Sequence, residues 1–251
     1  MRLKGKKAIV TGANRSIGRA IAQLFAKEGA EVVLSYRSDK NGAEETVQTI
    51  QKAGGSARAL HADFSAYSGI ERFYEASIDA LRHVDILVNN AGGYNTLGFF
   101  ELKPQDFEQL LQVTLMTPFY LSQLVAKGMV DKQTGGNIIN ISSISGTRPT
   151  LNRVAHASGK AALNMLTQTM ALELAQYRIR VNAIAPGYTP YEEGAEVDPF
   201  TKHIPLRRAG LPTDQASAAL FLATEESSWM TGQIITVDGG HSIALSMDTS
   251  C

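Results

Sequence analysis

The run Thr11-Gly12-Ala13-Asn14-Arg15-Ser16-Ile17-Gly18 follows a short apolar stretch and leads into a helical pattern. Glycine at such a turn lets the backbone come close to a pyrophosphate. The helix that starts there offers backbone N–H donors and the positive end of its dipole. A glycine loop in this place, after a first strand and before a first helix, is a dinucleotide-binding signal. Gly12, Asn14, Arg15, Ser16, Ile17 and Gly18 are therefore its candidate cofactor contacts. The end of the second strand discriminates between dinucleotides, because a carboxylate there would bind the ribose hydroxyls and repel a 2′-phosphate. That position is Tyr36, followed by Arg37, and Arg15 sits in the glycine loop. Two guanidinium groups suit a phosphate dianion, so NADP(H) is the expected cofactor.

Other chemistry has less support. The single cysteine, Cys251, can form neither an internal disulfide nor a cysteine metal cluster. His61, His83, His203 and His241 show no metal-ligand spacing and read as structural or surface residues, so no metal is expected. Lys plus Arg and Asp plus Glu each total 24, which argues against a nucleic-acid or anionic-membrane partner.

The elements that would carry these residues alternate. The strand candidates are Lys7–Thr11, Glu31–Ser35, Ala57–Ala62, Val84–Asn89, Asn137–Ser142, Arg180–Ala185 and Ile234–Asp238. Most are continuous apolar runs, as in parallel strands covered on both faces. Helical patterns lie between them at Ile17–Glu28, Asn41–Ala53, Tyr67–Arg82, Pro104–Lys127, Ala157–Gln176 and Thr213–Ala223. Such alternation implies right-handed crossovers and one doubly wound parallel sheet. At 251 residues with 44% hydrophobic content, the chain suits a single α/β domain of the Rossmann type with seven strands. No apolar run approaches the about 18 residues of a membrane span. Ala8–Val10 is too short for a signal-peptide core, and a cytoplasmic protein is expected.

Five segments in order, the loop among them, resemble the short-chain dehydrogenase/reductase family, and the likeness spans nearly the whole chain. Thr11–Gly18 resembles the TGxxxGxG fingerprint, with Ser16 in place of its middle glycine. Asn89-Asn90-Ala91-Gly92 resembles the NNAG motif. Asn137–Gly146 resembles the strand carrying the catalytic serine, and Arg180–Gly187 the strand whose Pro186-Gly187 borders the nicotinamide. Thr231–Gly240 resembles the closing strand. The chain looks most like the 3-oxoacyl-carrier-protein reductases and glucose 1-dehydrogenases of that family. The resemblance adds Asp63 as an adenine contact and Asn90, Ala91, Gly92, Pro186 and Gly187 as cofactor contacts. It also implies hydride transfer between a nicotinamide and a small carbonyl or alcohol substrate.

The family's catalytic groups are Asn, Ser, Tyr and Lys, the last two in a YxxxK motif. Serine holds the carbonyl and tyrosine exchanges the proton. Lysine binds the nicotinamide ribose and lowers the tyrosine pKa from about 10. Here Ser143 and Lys160 match, but the tyrosine position is His156 and the asparagine position is Thr114. Imidazole, with an unperturbed pKa of about 6.5, is a competent acid/base. Its edge reaches about 2 Å less far than a phenol hydroxyl, so a bridging water or a deeper substrate is required. Lys160 and an oxidised nicotinamide would both lower its pKa, making it a better base than acid. Three readings follow. His156 works as acid/base or water holder in a carbonyl reductase. Alternatively, a conjugated C=C bond is reduced, with Tyr94, Tyr188 or Tyr191 as candidate hydroxyls. Or the site is eroded, and the protein binds NADP(H) as a sensor or non-redox enzyme. Ser142, beside Ser143, is sent to the opposite face by strand alternation.

The segment Gly187–Pro212 breaks the rhythm with Pro190, Pro199, Pro205 and Pro212 and an acidic patch, and reads as a substrate lid.

 The acidic patch consists of Glu192, Glu193, Glu196 and Asp198, with Arg207 and Arg208 nearby. Helices Pro104–Lys127 and Ala157–Gln176 are apolar over much of their circumference. In the family they pair across a two-fold axis, so a homodimer or homotetramer is expected.

Overall fold

The computed structural model of the chain describes residues 1–93, 95–190 and 199–244. Tyr94, Tyr191, the acidic patch of the expected lid and Cys251 lie outside them. Seven strands form one parallel sheet: β1 (Lys7–Val10), β2 (Glu31–Tyr36), β3 (Ser56–His61), β4 (Ile86–Asn89), β5 (Gly136–Ile141), β6 (Ile179–Pro186) and β7 (Ile234–Val237). Their order is β3-β2-β1-β4-β5-β6-β7. The doubly wound Rossmann-type sheet read from the sequence is thus the observed fold.

Successive strand residues serve opposite faces, and both faces are covered. Ala8, Val10, Val32, Leu34, Ile86 and Val88 pack with Ile21 and Phe25 on one side. Ile9, Val33 and Leu87 pack with Phe73, Leu121 and Val125 on the other. This double burial explains why the strands are continuous apolar runs rather than alternations. The helices are α1 (Ser16–Lys27), α2 (Lys40–Lys52), α3 (Tyr67–Leu81), α4 (Pro104–Leu111), α5 (Thr117–Asp131), α6 (Val154–Leu174) and α7 (Pro212–Ala223). The chain order reverses between β1 and β4, so the connections leaving those two strands diverge and open a crevice at their C-terminal ends.

One expected helix is interrupted. Pro104–Lys127 reads as continuous, but a π-helical turn at Gln112–Met116 separates α4 from α5. Pro118, in the first turn of α5, has no N–H to donate to the carbonyl four residues earlier, that of Thr114. The wider turn accommodates the lost bond, and the Thr117 hydroxyl donates to the Gln112 carbonyl at 2.8 Å. Helix α6 also begins earlier than the pattern suggests, at Val154, which places His156 inside its first turn.

Candidate active site

The crevice is a single cleft of about 1030 Å³. Its nucleotide end is assembled from backbone. Gly12 has a φ of +63°, and its N–H donates to the Ser35 hydroxyl at 2.9 Å. Thr11 bonds back to β4: its hydroxyl accepts the N–H groups of Asn90 and Ala91, each at 2.9 Å. The Asn90 amide donates to the carbonyls of Thr11 and Gly12, also at 2.9 Å. Asn90 therefore holds the glycine loop as well as lining the cleft. A Cβ at Gly18 would lie 2.5 Å from the Gly12 carbonyl oxygen and 2.9 Å from Ala13 Cα, so only glycine fits. Ser16 keeps the left-handed backbone natural to glycine, with a φ of +47°.

Asn14, Arg15, Ser16, Ile17, Tyr36, Arg37 and Asp63 all line this end. Asp63 accepts the Ser65 N–H at 3.0 Å. That bond, the Ser65 hydroxyl and the Arg37 charge hold its carboxyl below the ordinary range. The cleft wall also contains Asp39, which strand-end reasoning passed over because it stops at Tyr36. Asp39 caps α2 by accepting the Gly42 N–H. A serine or aspartate just before a helical pattern is the signal that would have found it.

The reacting end is assembled from side chains. Ser143 follows β5 in extended conformation, and its Oγ accepts the Ser145 N–H at 3.1 Å. Ser142, expected on the opposite face, also borders the cleft, but it is buried and its hydroxyl is engaged in donating to Asn164 Oδ1 at 2.6 Å. His156 and Lys160 stand one helical turn apart on α6. Lys160 is buried and donates to the Ile141 carbonyl at 2.6 Å. Burial pushes its ammonium pKa down to about 8. The His156 ring lies 3.2 Å, through Nδ1, from the Gly93 carbonyl oxygen. Burial first, then the Lys160 charge, push the imidazole down to about 4. The direction agrees with the sequence reading, but desolvation outweighs the lysine. A carbonyl oxygen only accepts, so Nδ1 of the neutral ring carries the hydrogen and Nε2 is the lone-pair nitrogen.

Ser143, His156, Lys160, Pro186 and Gly187 share the cleft wall with the glycine loop, Asn90, Ala91 and Gly92. Thr114 does not. It is fully buried in the π turn, its hydroxyl donates to the Leu110 carbonyl at 2.7 Å, and its neighbour Val113 lines the cleft instead. Thr114 packs behind α6, where a Cβ on Gly159 would come within 2.7 Å of its Oγ1. His241, read from sequence as structural or surface, proves to line the cleft, as does Tyr188. Its position directly after the Asp238-Gly239-Gly240 turn of the closing strand was the available signal. His203 is exposed and away from the cleft, and His83 pairs with Asp85 at 3.4 Å. Of the expected lid, Thr189 and Pro190 reach the cleft wall, whereas Arg208 is committed to Asp214 by two bonds of 2.6 and 3.0 Å.

Among the described residues there is no cluster of metal-binding side chains, and no helix is long and apolar enough to cross a membrane. The donor set is instead that of an organic cofactor site. A glycine cradle faces two arginines at one end, and a hydroxyl, an imidazole and an ammonium line the other. The cleft volume is at the top of the about 300–1,000 Å³ range of ligand sites, which leaves room for a dinucleotide.

Comparisons with known proteins agree with this geometry. A family model described as enoyl-(acyl carrier protein) reductase matches residues 12–242. The 7α-hydroxysteroid dehydrogenase of Escherichia coli K12 is 40% identical over 250 residues, covering 96% of this chain and 95% of its own length. Glucose 1-dehydrogenase 2 of Bacillus subtilis is 35% identical over 249 residues, covering 96% of each chain. A solved 7α-hydroxysteroid dehydrogenase, complexed with NADH and 7-oxo-glycochenodeoxycholic acid, has a TM-score of 0.89 at 40% identity, covering 95% of each chain.

Proposed function

The chain belongs to the short-chain dehydrogenase/reductase family, and from that membership we propose that it is an NADP(H)-preferring oxidoreductase acting on a carbonyl/alcohol pair through an atypical proton-transfer group. The observation that carries this reading is the convergence of Ser143, His156 and Lys160 with the glycine loop in one cleft. The nicotinamide, when bound, supplies or accepts the hydride. Ser143 donates its hydroxyl hydrogen to the substrate oxygen. His156 exchanges the substrate proton, and its shorter reach is spanned by one water. Lys160 holds the cofactor ribose. Thr114 acts through packing, by lying in the π turn against Gly159 of α6. In the alcohol-oxidising direction the substrate oxygen would pass its proton through that water to Nε2 of His156, while the hydride on the carbon would go to the cofactor that the glycine loop and Lys160 would hold. The neutral ring with hydrogen on Nδ1 favours this direction at neutral pH.

Arg15 and Arg37, with no carboxylate at Tyr36, support the phosphorylated cofactor. The substrates named for the relatives, a hydroxysteroid and glucose, support a secondary alcohol or hemiacetal carbon as the reacting centre. Exposed apolar residues on α5 and α6, namely Phe119, Met165 and Leu172, support pairing of copies into a homodimer or homotetramer, which a solution mass would test. A second reading, reduction of a conjugated C=C bond, is favoured by Tyr188, which lines the cleft.

The test is NADPH absorbance with ketones, aldehydes, 3-oxoacyl thioesters and enones, for wild type and His156→Tyr in parallel. Wild-type turnover of a carbonyl class is the expected result. Turnover of enones alone would select the second reading. Turnover only by His156→Tyr would overturn the working role of His156, leaving an NADP(H)-binding protein whose site has been silenced.

A further inference from the structure

The phosphate pocket contains an opposing charge. Asp39 lines the cleft together with Asn14, Arg15, Tyr36 and Arg37. It is fixed there by two bonds of 2.9 Å, from the Gly42 N–H to Oδ1 and from the Asn14 amide to Oδ2. The backbone packs closely at this corner. A Cβ on Gly42 would lie 2.8 Å from the Asn14 carbonyl oxygen and 2.9 Å from Asp39 Cγ. Arg19 buttresses the same corner by donating to the Asn14 carbonyl at 2.6 Å and pairing with Glu45 at 3.5 Å.

We propose that Asp39 is a specificity-determining residue that restrains the preference for NADP(H) over NAD(H). This rests on the reading of Arg15 and Arg37 as the 2′-phosphate site. Each of those guanidinium groups already feels a carboxylate: Arg15 acts on Asp39, and Arg37 acts on Asp63. The Gly42 N–H and the Asn14 amide, with Arg15 and Arg19 behind them, hold the Asp39 carboxyl below its ordinary range, so it stays ionised at neutral pH. A 2′-phosphate entering the pocket therefore meets two cations and a fixed anion, whereas the bare ribose of NAD(H) brings no charge for Asp39 to repel. Among the remaining charges nearby, Lys40 is paired with Glu44 at 3.5 Å and does not offset Asp39.

The experiment measures dissociation constants of NADPH and NADH by calorimetry, for wild type, Asp39→Asn and Asp39→Ser. Asparagine and serine both remain good helix caps, and a thermal melt confirms the fold. The expected result is NADPH binding tighter by about three- to tenfold in both variants, with NADH changed by less than about twofold. The gain should shrink in about 0.5 M salt, because the repulsion it removes is screened. Equal shifts for both cofactors, or no NADPH gain, would overturn the role of Asp39. The underlying reading fails separately: a wild type that binds NADH more tightly than NADPH removes the NADP(H) preference, while a selective NADPH gain in the variants still upholds Asp39.

Discussion

At its nucleotide end the cleft is built from backbone, and at its reacting end it is built from side chains. Ser16 and His156 both stand where the resemblance read from the sequence leads one to expect another residue, and the two ends would absorb such a change differently. At Ser16 the chain keeps the left-handed conformation of the glycine it replaces, and the loop is held by the Thr11 and Asn90 bonds. The N–H groups remain in place whatever the side chain. At His156, under the proposed mechanism, the side chain itself exchanges the proton. Imidazole on the same α6 turn brings a shorter reach and a pKa of about 4, in place of a phenol whose unperturbed value is about 10. A departure in a backbone-built site costs strain, while a departure in a side-chain-built site changes the chemistry.

The largest expected effect sharpens that contrast at the reacting end. Ser143→Ala removes the hydroxyl proposed to hold the substrate oxygen and should lower kcat/KM by about 10²–10³, with the NADPH dissociation constant unaltered. An equal loss of cofactor affinity would show that the two ends are not separable.

The next effect is a pH dependence of stability. The His156 pKa is about 4 in the folded chain against 6.5 when unperturbed. Its folded value is depressed, so the unfolded chain binds the proton more readily. The associated stability is complete above about pH 6.5, is lost as pH falls toward about 4, and changes no further below. The total is about 1–3 kcal/mol after allowance for partial solvation. Chemical denaturation across that window should show a steeper slope in wild type than in His156→Phe, where only the carboxylates held below their ordinary range, such as Asp63, still contribute. Identical slopes would place the imidazole pKa near its ordinary value.

The smallest effect belongs to the backbone-built end. Ser16→Gly relieves a left-handed backbone at the cost of some chain entropy and should stabilise by about 0.5–1 kcal/mol. A thermal melt, together with an NADPH titration, reads it. A large loss of NADPH affinity would mean that the Ser16 hydroxyl itself binds the cofactor.

Much of this was legible in the chain. Both faces of the sheet are buried, so Ile9, Val33 and Leu87 and their alternates wrote the strands as apolar runs. The glycine loop was legible because its spacing and its place before α1 are local facts. What was not legible depends on packing. Pro118 announces a helix defect, but the burial of Thr114 away from the cleft follows from how α6 meets the π turn. Asp39 and His241 reach the cleft because loops after β2 and β7 converge on it, and their sequence neighbours do not reveal that convergence.

The most direct measurement is steady-state turnover with NADPH by wild type and His156→Phe, using the best carbonyl substrate, between about pH 5 and 8. His156→Phe is expected to be slower by about 10² or more at equal NADPH affinity. Wild-type reduction should slow with rising pH as the imidazolium becomes scarce, and the variant should lack that dependence. Turnover by His156→Phe matching wild type across the range would contradict the assignment of His156 as the proton-transfer group.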